Sequence, residues 1–142
     1  MKLPVANFLL YAVDKSSPPH RPARQWLERT LSGTETVAFA WVVLLAFLRL
    51  TTNPRVFVNP LDPQEAFDLV EDWVAQPSST IVYPTDRHAA VLRELLQPLG
   101  TAGNLTTDAH LAALAIEHGA ELCSFDSDFS RFPGLSRSDP LS

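Results

Sequence analysis

The sequence predicts an α/β fold, a three-layer α/β/α sandwich around a mostly parallel central sheet. Short apolar runs typical of buried strands alternate with segments of helical period along the chain. Strands separated by helices require crossover connections, which make the strands parallel and cover the sheet on both faces. The 142 residues suit one sizeable hydrophobic core, so we predict a single domain over residues 1–142.

Four strands are predicted from short runs bounded by prolines and small polar residues. The chain has 12 prolines, and most of them fall at the joints between elements. The predicted strands cover residues 2–5, 35–40, 79–83 and 120–124.

Six helices are predicted between the strands. They cover residues 7–14, 20–31, 41–52, 62–74, 85–97 and 106–118. Asp62, with Glu65 three residues later, is the predicted N-cap of the fourth helix, and Thr85 is the predicted N-cap of the fifth. Gly119 is the predicted stop of the sixth.

Composition indicates a globular cytoplasmic protein and excludes several kinds of site. Apolar residues make up 46% of the chain and charged residues 19%, an ordinary globular balance. The single cysteine, Cys123, excludes an internal disulfide and a cysteine-based zinc site, which favours a reducing cytoplasm. Residues 37–48 are apolar but too short to cross a bilayer, and the N-terminal residues lack the features of a signal peptide.

Charge is distributed unevenly along the chain, whose net charge is −5. Residues 1–55 carry seven Lys and Arg against three Asp and Glu, whereas residues 56–142 carry four against thirteen. A basic face beside an acidic pocket accounts for this asymmetry, and ordinary solvated surface charge accounts for it equally well.

Three aspartates are predicted to meet at one edge of the sheet. Asp126 and Asp128 directly follow the last predicted strand, in the sequence LCSFDSDF of residues 122–129. Asp108 lies in the first turn of the sixth helix and leads the apolar face that packs on the sheet. Asp108 alone is better explained as a group that caps the helix, but three acids in one crevice need a shared proton or cation. Hard oxygen ligands favour Mg²⁺ or Mn²⁺ over zinc.

Two other kinds of acidic site fit less well. In an EF-hand calcium loop beginning at Asp126, Arg131 would occupy the position of the required glycine and Arg137 that of the required glutamate. The Asp-x-Asp motif of aspartyl-phosphate phosphatases follows an early strand, whereas Asp126 and Asp128 follow the last one. A metal-dependent phosphatase of that type is a third, weaker interpretation.

Three segments resemble, in order and spacing, the PIN-domain ribonuclease toxins of bacterial VapBC toxin–antitoxin pairs. They are ANFLLYAVD (residues 6–14), WVVLLAFLRLTTNPRVF (residues 41–57) and NLTTDAHLAALAIEHGAELCSFDSDFSRFPGL (residues 104–135). The resemblance implies a PIN-like α/β/α sandwich in which clustered acids bind Mg²⁺ or Mn²⁺ and cleave RNA, commonly transfer or ribosomal RNA. It also implies a VapB-like antitoxin that blocks the site, a homodimer, and contact with promoter DNA only through the antitoxin.

The resemblance assigns roles to individual residues. Asp108 corresponds to the metal-binding aspartate that opens the family's late helix, and Asp126 and Asp128 correspond to the acids after the final strand. These three are the expected catalytic and metal-binding residues. Further positions correspond to residues that line the family's site, and these are Val5, Asn7, Thr107 and Ser124.

Two positions depart from the family pattern. The family has an aspartate at the end of the first strand, where this chain has Val5, and a glutamate at about the position of Ala46. Asp14 and Glu117 are each about two helical turns from where a substitute acid would be needed. We therefore hypothesise a metal-dependent endoribonuclease weakened by Val5. The alternative is a catalytically inactive PIN-like module that binds its antitoxin.

Basic and aromatic residues outside the acidic cluster complete the predictions. Arg49, Arg55 and Arg131 are candidates for contact with RNA phosphates, although each alone is more often a surface charge. The three tryptophans occupy apolar helical positions, which favours core packing or a dimer seam over base stacking. His110 is turned away from the helix face of Asp108 and is expected to be structural or on the surface.

Overall fold

A five-stranded sheet forms the centre of the protein in the computed structural model. The structure describes residues 1–100 and 102–140, and for Asn104 it describes the backbone alone. The strands are β1 (Lys2–Pro4), β2 (Val37–Phe39), β3 (Ser79–Ile81), β4 (Glu121–Cys123) and β5 (Arg137–Ser138). Their order in the sheet is β3-β2-β1-β4-β5, and every neighbouring pair is parallel. The predicted α/β sandwich around a parallel sheet is confirmed.

Helices cover both faces of this sheet. In the described residues they are α1 (Ala6–Val13), α2 (His20–Leu31), α3 (Trp41–Thr51), α4 (Pro63–Val74), α5 (His88–Leu96) and α6 (Thr106–His118). Right-handed crossovers between parallel strands place α1 to α4 on one face and α5 and α6 on the other. The helix contacts agree, since α1 packs on α2 and α3, α3 packs on α4, and α5 packs on α6. Within the described ranges no helix is long and apolar enough to cross a membrane.

Two helix ends form where the sequence provides the required groups. The Asp62 side chain accepts a hydrogen bond of 2.9 Å from the backbone N–H of Glu65, which confirms Asp62 as the N-cap of α4. Gly119 adopts φ 65°, a left-handed conformation that glycine reaches without a steric penalty, and its N–H donates to the carbonyls of Ala115 and Ile116. The predicted end of α6 is therefore confirmed, and β4 follows at once.

The hydrophobic core fills the space between the sheet and the two helical layers. Leu3, Phe39 and Leu122 come from three adjacent strands, Phe8 and Phe47 come from α1 and α3, and all five are fully buried. Burial of a side chain of this size stabilises the fold by about 1.5–3 kcal/mol. The strands that carry the candidate site at their carboxyl ends therefore rest on well-packed core.

Two local features differ from the prediction. The sequence does not predict β5, because Arg137 and Ser138 are polar and form too short a run to show a strand pattern. The fifth helix begins at His88 rather than at residue 85, so the predicted N-cap role of Thr85 is wrong. The Thr85 hydroxyl instead accepts a 3.2 Å hydrogen bond from the N–H of Arg87 and donates a 2.6 Å one to Glu117 Oε1.

The tryptophans divide between the core and the surface. Trp26 and Trp73 are buried, as predicted for core residues. Trp41, the first residue of α3, is 45% exposed, so core packing does not describe it. Helical periodicity places these residues on apolar faces, but it does not specify whether another part of the same chain covers each face. A dimer seam at Trp41 stays a prediction.

Candidate active site at the carboxyl edge of the sheet

The strand order creates a crevice at the carboxyl edge of the sheet, between β1 and β4. The chain leaves β1 toward β2 on one side and later returns to β4 on the other, so the loops after these two strands diverge. Ligands of open parallel sheets bind at such switch points. Val5 and Asn7 follow β1, and Ser124 and Asp126 follow β4, so all four residues lie at this crevice.

A pocket of about 130 Å³ occupies the crevice. It brings together six of the predicted site residues, which are Val5, Asn7, Thr107, Asp108, Ser124 and Asp126. Among the residues that the structure describes, the other lining residues are all apolar: Ala6, Val42, Val43, Ala46, Leu111 and Phe129. Two carboxylates therefore face a pocket with walls of low polarity, where electrostatic interactions are stronger than in water.

Asp126 is held by the turn that follows β4. The Ser124 hydroxyl accepts a 2.9 Å hydrogen bond from the backbone N–H of Asp126, and Asp126 Oδ1 accepts a 2.8 Å hydrogen bond from the N–H of Asp128. The second bond makes Asp126 the N-cap of a 3₁₀ helix, Ser127–Arg131. A carboxylate has about four acceptor sites, so Asp126 serves the local turn and still offers acceptors to a ligand.

Asp108 is the acid most affected by its surroundings. It lies half-buried in the first turn of α6, and its carboxylate makes no hydrogen bond or ion pair with any other residue described by the structure. Burial raises the pKa of this carboxyl, and the negative charges of Asp126 and Asp128 raise it further, while Arg131 acts in the opposite direction. A cation in the pocket would relieve the destabilisation of the ionised form.

Asp128 does not line the pocket. Its side chain is 55% exposed, and its Oδ1 lies 3.1 Å from Nη2 of Arg131. The Nε of Arg131 also donates a 2.9 Å hydrogen bond to the backbone carbonyl of Asp128. Asp128, the third predicted acid, therefore forms an ion pair within its own 3₁₀ helix. Its negative charge still raises the pKa of Asp108.

Val5 and Ala46 both line the pocket, so the two departures from the family pattern fall inside the site. Val5 is only 5% exposed. Its backbone N–H donates a 3.1 Å hydrogen bond to the carbonyl of Cys123, which ties the end of β1 to β4. Val5 is also the N-cap of α1 and has no side-chain group to cap the helix. An aspartate at this position would place a carboxylate in the pocket and provide that cap.

The donor set fits a hard divalent cation. Asp108 and Asp126 offer carboxylate oxygens, and Mg²⁺ is commonly held by one or two carboxylates while it retains several waters. No group of three or more His, Cys, Asp or Glu residues within 1–100 and 102–140 is arranged to hold a metal ion. The pocket therefore suits a cation bound by two carboxylates and lacks a fuller acidic set, because Val5 and Ala46 are apolar.

The remaining predicted residues lie outside the pocket. Arg49 in the last turn of α3 and Arg55 in the loop after it are both exposed. Asp14 accepts hydrogen bonds from Ser16, and Glu117 is engaged with the start of α5. Neither of these two acids replaces the carboxylates that are missing from the pocket.

Aromatic side chains beside the acids are a part of the site that sequence reasoning missed. Phe125 stacks on Phe8 with 4.9 Å between ring centroids, and Tyr11 meets Phe125 edge-on at 5.2 Å. Phe129 is buried and forms one wall of the pocket. The phenylalanines on either side of the acidic residues thus anchor the acidic loop to the core, and the signal for this was the alternation of Phe and Asp in FDSDF.

Comparisons with known proteins agree with this fold. Residues 2–135 match the family described as PIN domain. The chain is 51% identical over 140 residues to Ribonuclease VapC37 from Mycobacterium tuberculosis (strain ATCC 25618 / H37Rv), with 99% of this chain and 97% of that one covered. It is 41% identical over 141 residues to Ribonuclease VapC33 from the same strain, with 99% of both chains covered.

Solved structures of VapBC proteins have the same fold. VapBC-1 from nontypeable Haemophilus influenzae superposes with a TM-score of 0.72 at 11% identity, covering 99% of this chain and 98% of that one. VapBC2 from Rickettsia felis, bound to a DNA fragment from the promoter, superposes with a TM-score of 0.70 at 18% identity, covering 96% of each chain. These structures support the fold, and the family match and the curated relatives extend over almost the whole chain. The chain therefore belongs to the PIN domain family and, within it, to the VapC ribonucleases.

Proposed function

We propose that this protein is the toxin of a type II toxin–antitoxin pair and a Mg²⁺- or Mn²⁺-dependent endoribonuclease that cleaves structured RNA, either transfer or ribosomal RNA. The observation that carries the proposal is the pocket between β1 and β4, in which Asp108 and Asp126 share one apolar-walled crevice. Membership of the VapC group supports RNA as the substrate.

Asp108 and Asp126 would hold the cation. When bound, such an ion activates water and offsets the negative charge that develops during phosphoryl transfer. Ser124 keeps Asp126 in position through its hydrogen bond to the backbone. Asn7 and Thr107 add hydrogen-bonding groups to the pocket wall, where they would orient a phosphate of the RNA backbone.

The arginines would bind the RNA backbone, because phosphate contacts position a nucleic acid without reading its sequence. Arg131 is close enough to the acids to act on the pKa of Asp108. An RNA phosphate that binds Arg131 would compete with Asp128 for the guanidinium and so free the third predicted acid to act with the other two. Arg49 and Arg55 would contribute at a greater distance from the chemistry.

Val5 would weaken this activity. In the proposed family of active nucleases an aspartate at this position binds the metal ion. This chain has the buried Val5 there instead. With one carboxylate fewer, the cation is bound less tightly and the repulsion between Asp108 and Asp126 is relieved less completely. We expect slow cleavage that requires high concentrations of the metal ion.

The second candidate function is a catalytically inactive module that binds its antitoxin, and the apolar residues Val5 and Ala46 in the pocket favour it. In either case we propose a VapB-like antitoxin as the partner, with promoter DNA contacted only through it. A groove of about 520 Å³ between α1, α2 and α4 offers a surface for this partner. Its floor includes Leu27 and Leu31, and its rim carries both basic and acidic side chains.

A homodimer is the expected oligomeric state. Trp41 and Leu45 lie one turn apart on α3 and are 45% and 58% exposed. Large apolar side chains that are exposed together favour a protein interface. A second copy of the chain that packs on this face of α3 would bury both residues.

Two further expectations accompany the proposal. Residues 1–142 would form one domain that works in the cytoplasm, where a free buried cysteine such as Cys123 stays reduced. A phosphatase of the aspartyl-phosphate type is the weaker alternative, and it predicts that one of the aspartates becomes covalently phosphorylated. Mass spectrometry after incubation with a phosphoryl donor tests that alternative directly.

The proposed function is tested by incubating the purified protein with total RNA in Mg²⁺ or Mn²⁺, with Asp126→Asn as the matched control. We expect slow cleavage at a small number of sites, which is lost in the variant and in the presence of a chelator. Tight binding of the antitoxin by both forms without any cleavage would instead support the inactive module.

A further inference from the structure

Four polar residues form a partly buried network between α5 and α6, on the opposite face of the sheet from α1 to α4. Glu117, whose side chain is fully buried, lies at its centre. Glu117 Oε1 accepts hydrogen bonds from the backbone N–H of Thr85 at 2.9 Å and from its hydroxyl at 2.6 Å. Glu117 Oε2 lies 2.5 Å from Nδ1 of His88, and Nε2 of His88 lies 2.9 Å from Nδ1 of His110. The chain thus places two imidazoles next to each other and holds one of them with a buried carboxylate.

The carboxylate fixes the orientation and the tautomer of His88. An ionised carboxylate only accepts hydrogen bonds, so Nδ1 of His88 must donate to Glu117. In neutral imidazole the other ring nitrogen then carries a lone pair, and in His88 this nitrogen is Nε2, which faces His110. A histidine that donates one N–H to a carboxylate and presents the other nitrogen outward has the arrangement common among metal-ligating histidines.

The spacing of the two facing nitrogens fits a transition-metal ion. At metal–nitrogen bonds of about 2.0–2.1 Å, two cis ligands of a tetragonal ion are about 2.8–3.0 Å apart, and two ligands of a tetrahedral ion are about 3.3–3.4 Å apart. The observed 2.9 Å separates Nε2 of His88 from Nδ1 of His110. A tetragonal ion such as Ni²⁺ or Cu²⁺ matches this distance once both rings have turned, so that their lone pairs converge on the ion instead of lying along the hydrogen bond between them. Zn²⁺ would also require the rings to separate by about 0.4 Å.

We propose that His88 and His110 form a binding site for a divalent transition-metal ion that links α5 to α6, with Glu117 as the supporting carboxylate. Water completes the coordination, because the described residues bring no third His, Cys, Asp or Glu ligand to this point. The His88 side chain is 14% exposed, so the proposed site lies close to the protein surface. For the ion to bind, the single proton of a neutral His110 moves from Nδ1 to Nε2, so no proton is lost from the protein.

This site is separate from the catalytic pocket in both position and chemistry. His110 lies on the face of α6 that meets α5, and it is not among the residues that line the pocket. Imidazole nitrogens favour Ni²⁺, Cu²⁺ and Zn²⁺, whereas the carboxylates of the pocket favour Mg²⁺ and Mn²⁺. The proposal therefore stands whether or not the protein cleaves RNA.

The test is calorimetric titration of Ni²⁺ into the full chain in the presence of excess Mg²⁺, which occupies oxygen-ligand sites. We expect one equivalent to bind, and we expect the affinity to fall by more than about tenfold in His88→Gln and in His110→Asn. These amides replace the ligating nitrogens at similar positions and preserve a hydrogen bond between the helices. His20→Gln is the matched control and should bind Ni²⁺ like the unmodified protein.

A second measurement keeps the inference testable if either variant is poorly folded. The electron paramagnetic resonance spectrum of the unmodified protein with one equivalent of Cu²⁺ should report two nitrogen ligands. Binding that is unchanged in both His88→Gln and His110→Asn, or a spectrum with no nitrogen ligand, would overturn the proposal. Affinity that falls equally in His20→Gln would also overturn it, because the ion would then bind histidines without selection.

Discussion

Glu117 connects the fold to the candidate site, because it joins the start of α5 to the helix that carries Asp108. In Glu117→Ala, three hydrogen bonds are lost, from the N–H and hydroxyl of Thr85 and from Nδ1 of His88. A buried donor that loses its acceptor costs about 1–3 kcal/mol, so we expect the loss of the acceptor shared by these three donors to cost about 3 kcal/mol. In Glu117→Gln the amide oxygen still accepts from Thr85, and His88 can change tautomer to accept from the amide N–H, so we expect a cost of about 1–2 kcal/mol.

Urea denaturation and thermal melting of the three proteins at pH 7, both monitored by circular dichroism, measure these differences. A loss of 1 kcal/mol lowers Tm by about 2–4 °C in a chain of this size, so Glu117→Ala should melt at least about 6 °C below the unmodified protein. If Glu117→Ala were as stable as the unmodified protein to within about 0.5 kcal/mol, the hydrogen bonds of Glu117 would not stabilise the packing of α5 on α6.

The same network predicts a dependence of stability on pH. Burial alone would raise the pKa of Glu117, but the hydrogen bonds from Thr85 and His88 together outweigh it and lower the pKa below its usual value. A depressed carboxyl pKa in the folded state contributes stability above the unfolded pKa, and this contribution is lost as the pH falls through the folded value. The difference in stability between the unmodified protein and Glu117→Gln should therefore shrink below about pH 4.

Three further predictions concern the pocket and the exposed face of α3. Asp108→Asn should raise the free energy of unfolding at pH 7 without metal, because burial and the charges of Asp126 and Asp128 raise the pKa of Asp108. This gain in stability should disappear as the pH falls through that pKa. An unchanged or lowered stability in urea denaturation would contradict the prediction. Asp126→Asn should reduce RNA cleavage by more than about a hundredfold and Asp128→Asn by about tenfold, because of these two acids only Asp126 lines the pocket. Equal losses of cleavage in the two variants would contradict this difference. Leu45→Glu should convert a dimer to a monomer in sedimentation velocity while leaving the circular dichroism spectrum unchanged, whereas an unaltered sedimentation coefficient would exclude α3 as the dimer face.

The sequence predicted the parts of the molecule that depend on local patterns and on chain order. Alternating strands and helices place the residues after β1 and β4 at one sheet edge, so Asn7 and Asp126 could be assigned to this edge from chain order, and the family resemblance added Ser124. The N-cap at Asp62 and the helix end at Gly119 follow from backbone hydrogen bonding within one turn.

Features that depend on contacts between distant parts of the chain could not be read in the same way. Thr85 and Glu117 are 32 residues apart, and no local pattern shows that the threonine bonds this glutamate rather than capping α5. The pairing of Asp128 with Arg131 is local by contrast, but it depends on the 3₁₀ geometry of the acidic loop, which the sequence did not predict. The exposure of Trp41 depends on which helices cover α3, and amphipathic periodicity does not encode that choice.

We propose that the pocket between β1 and β4 is a metal-dependent nuclease site weakened by Val5. It is tested most directly by titrating Mn²⁺ into the unmodified protein and into Val5→Asp, with RNA cleavage measured on the same samples. We predict that Val5→Asp binds Mn²⁺ at least about tenfold more tightly and cleaves RNA faster, because a third carboxylate enters the pocket. If neither protein binds Mn²⁺ or cleaves RNA, the pocket is not a nuclease site in this chain, and Asp126 serves only to cap the 3₁₀ helix that follows it.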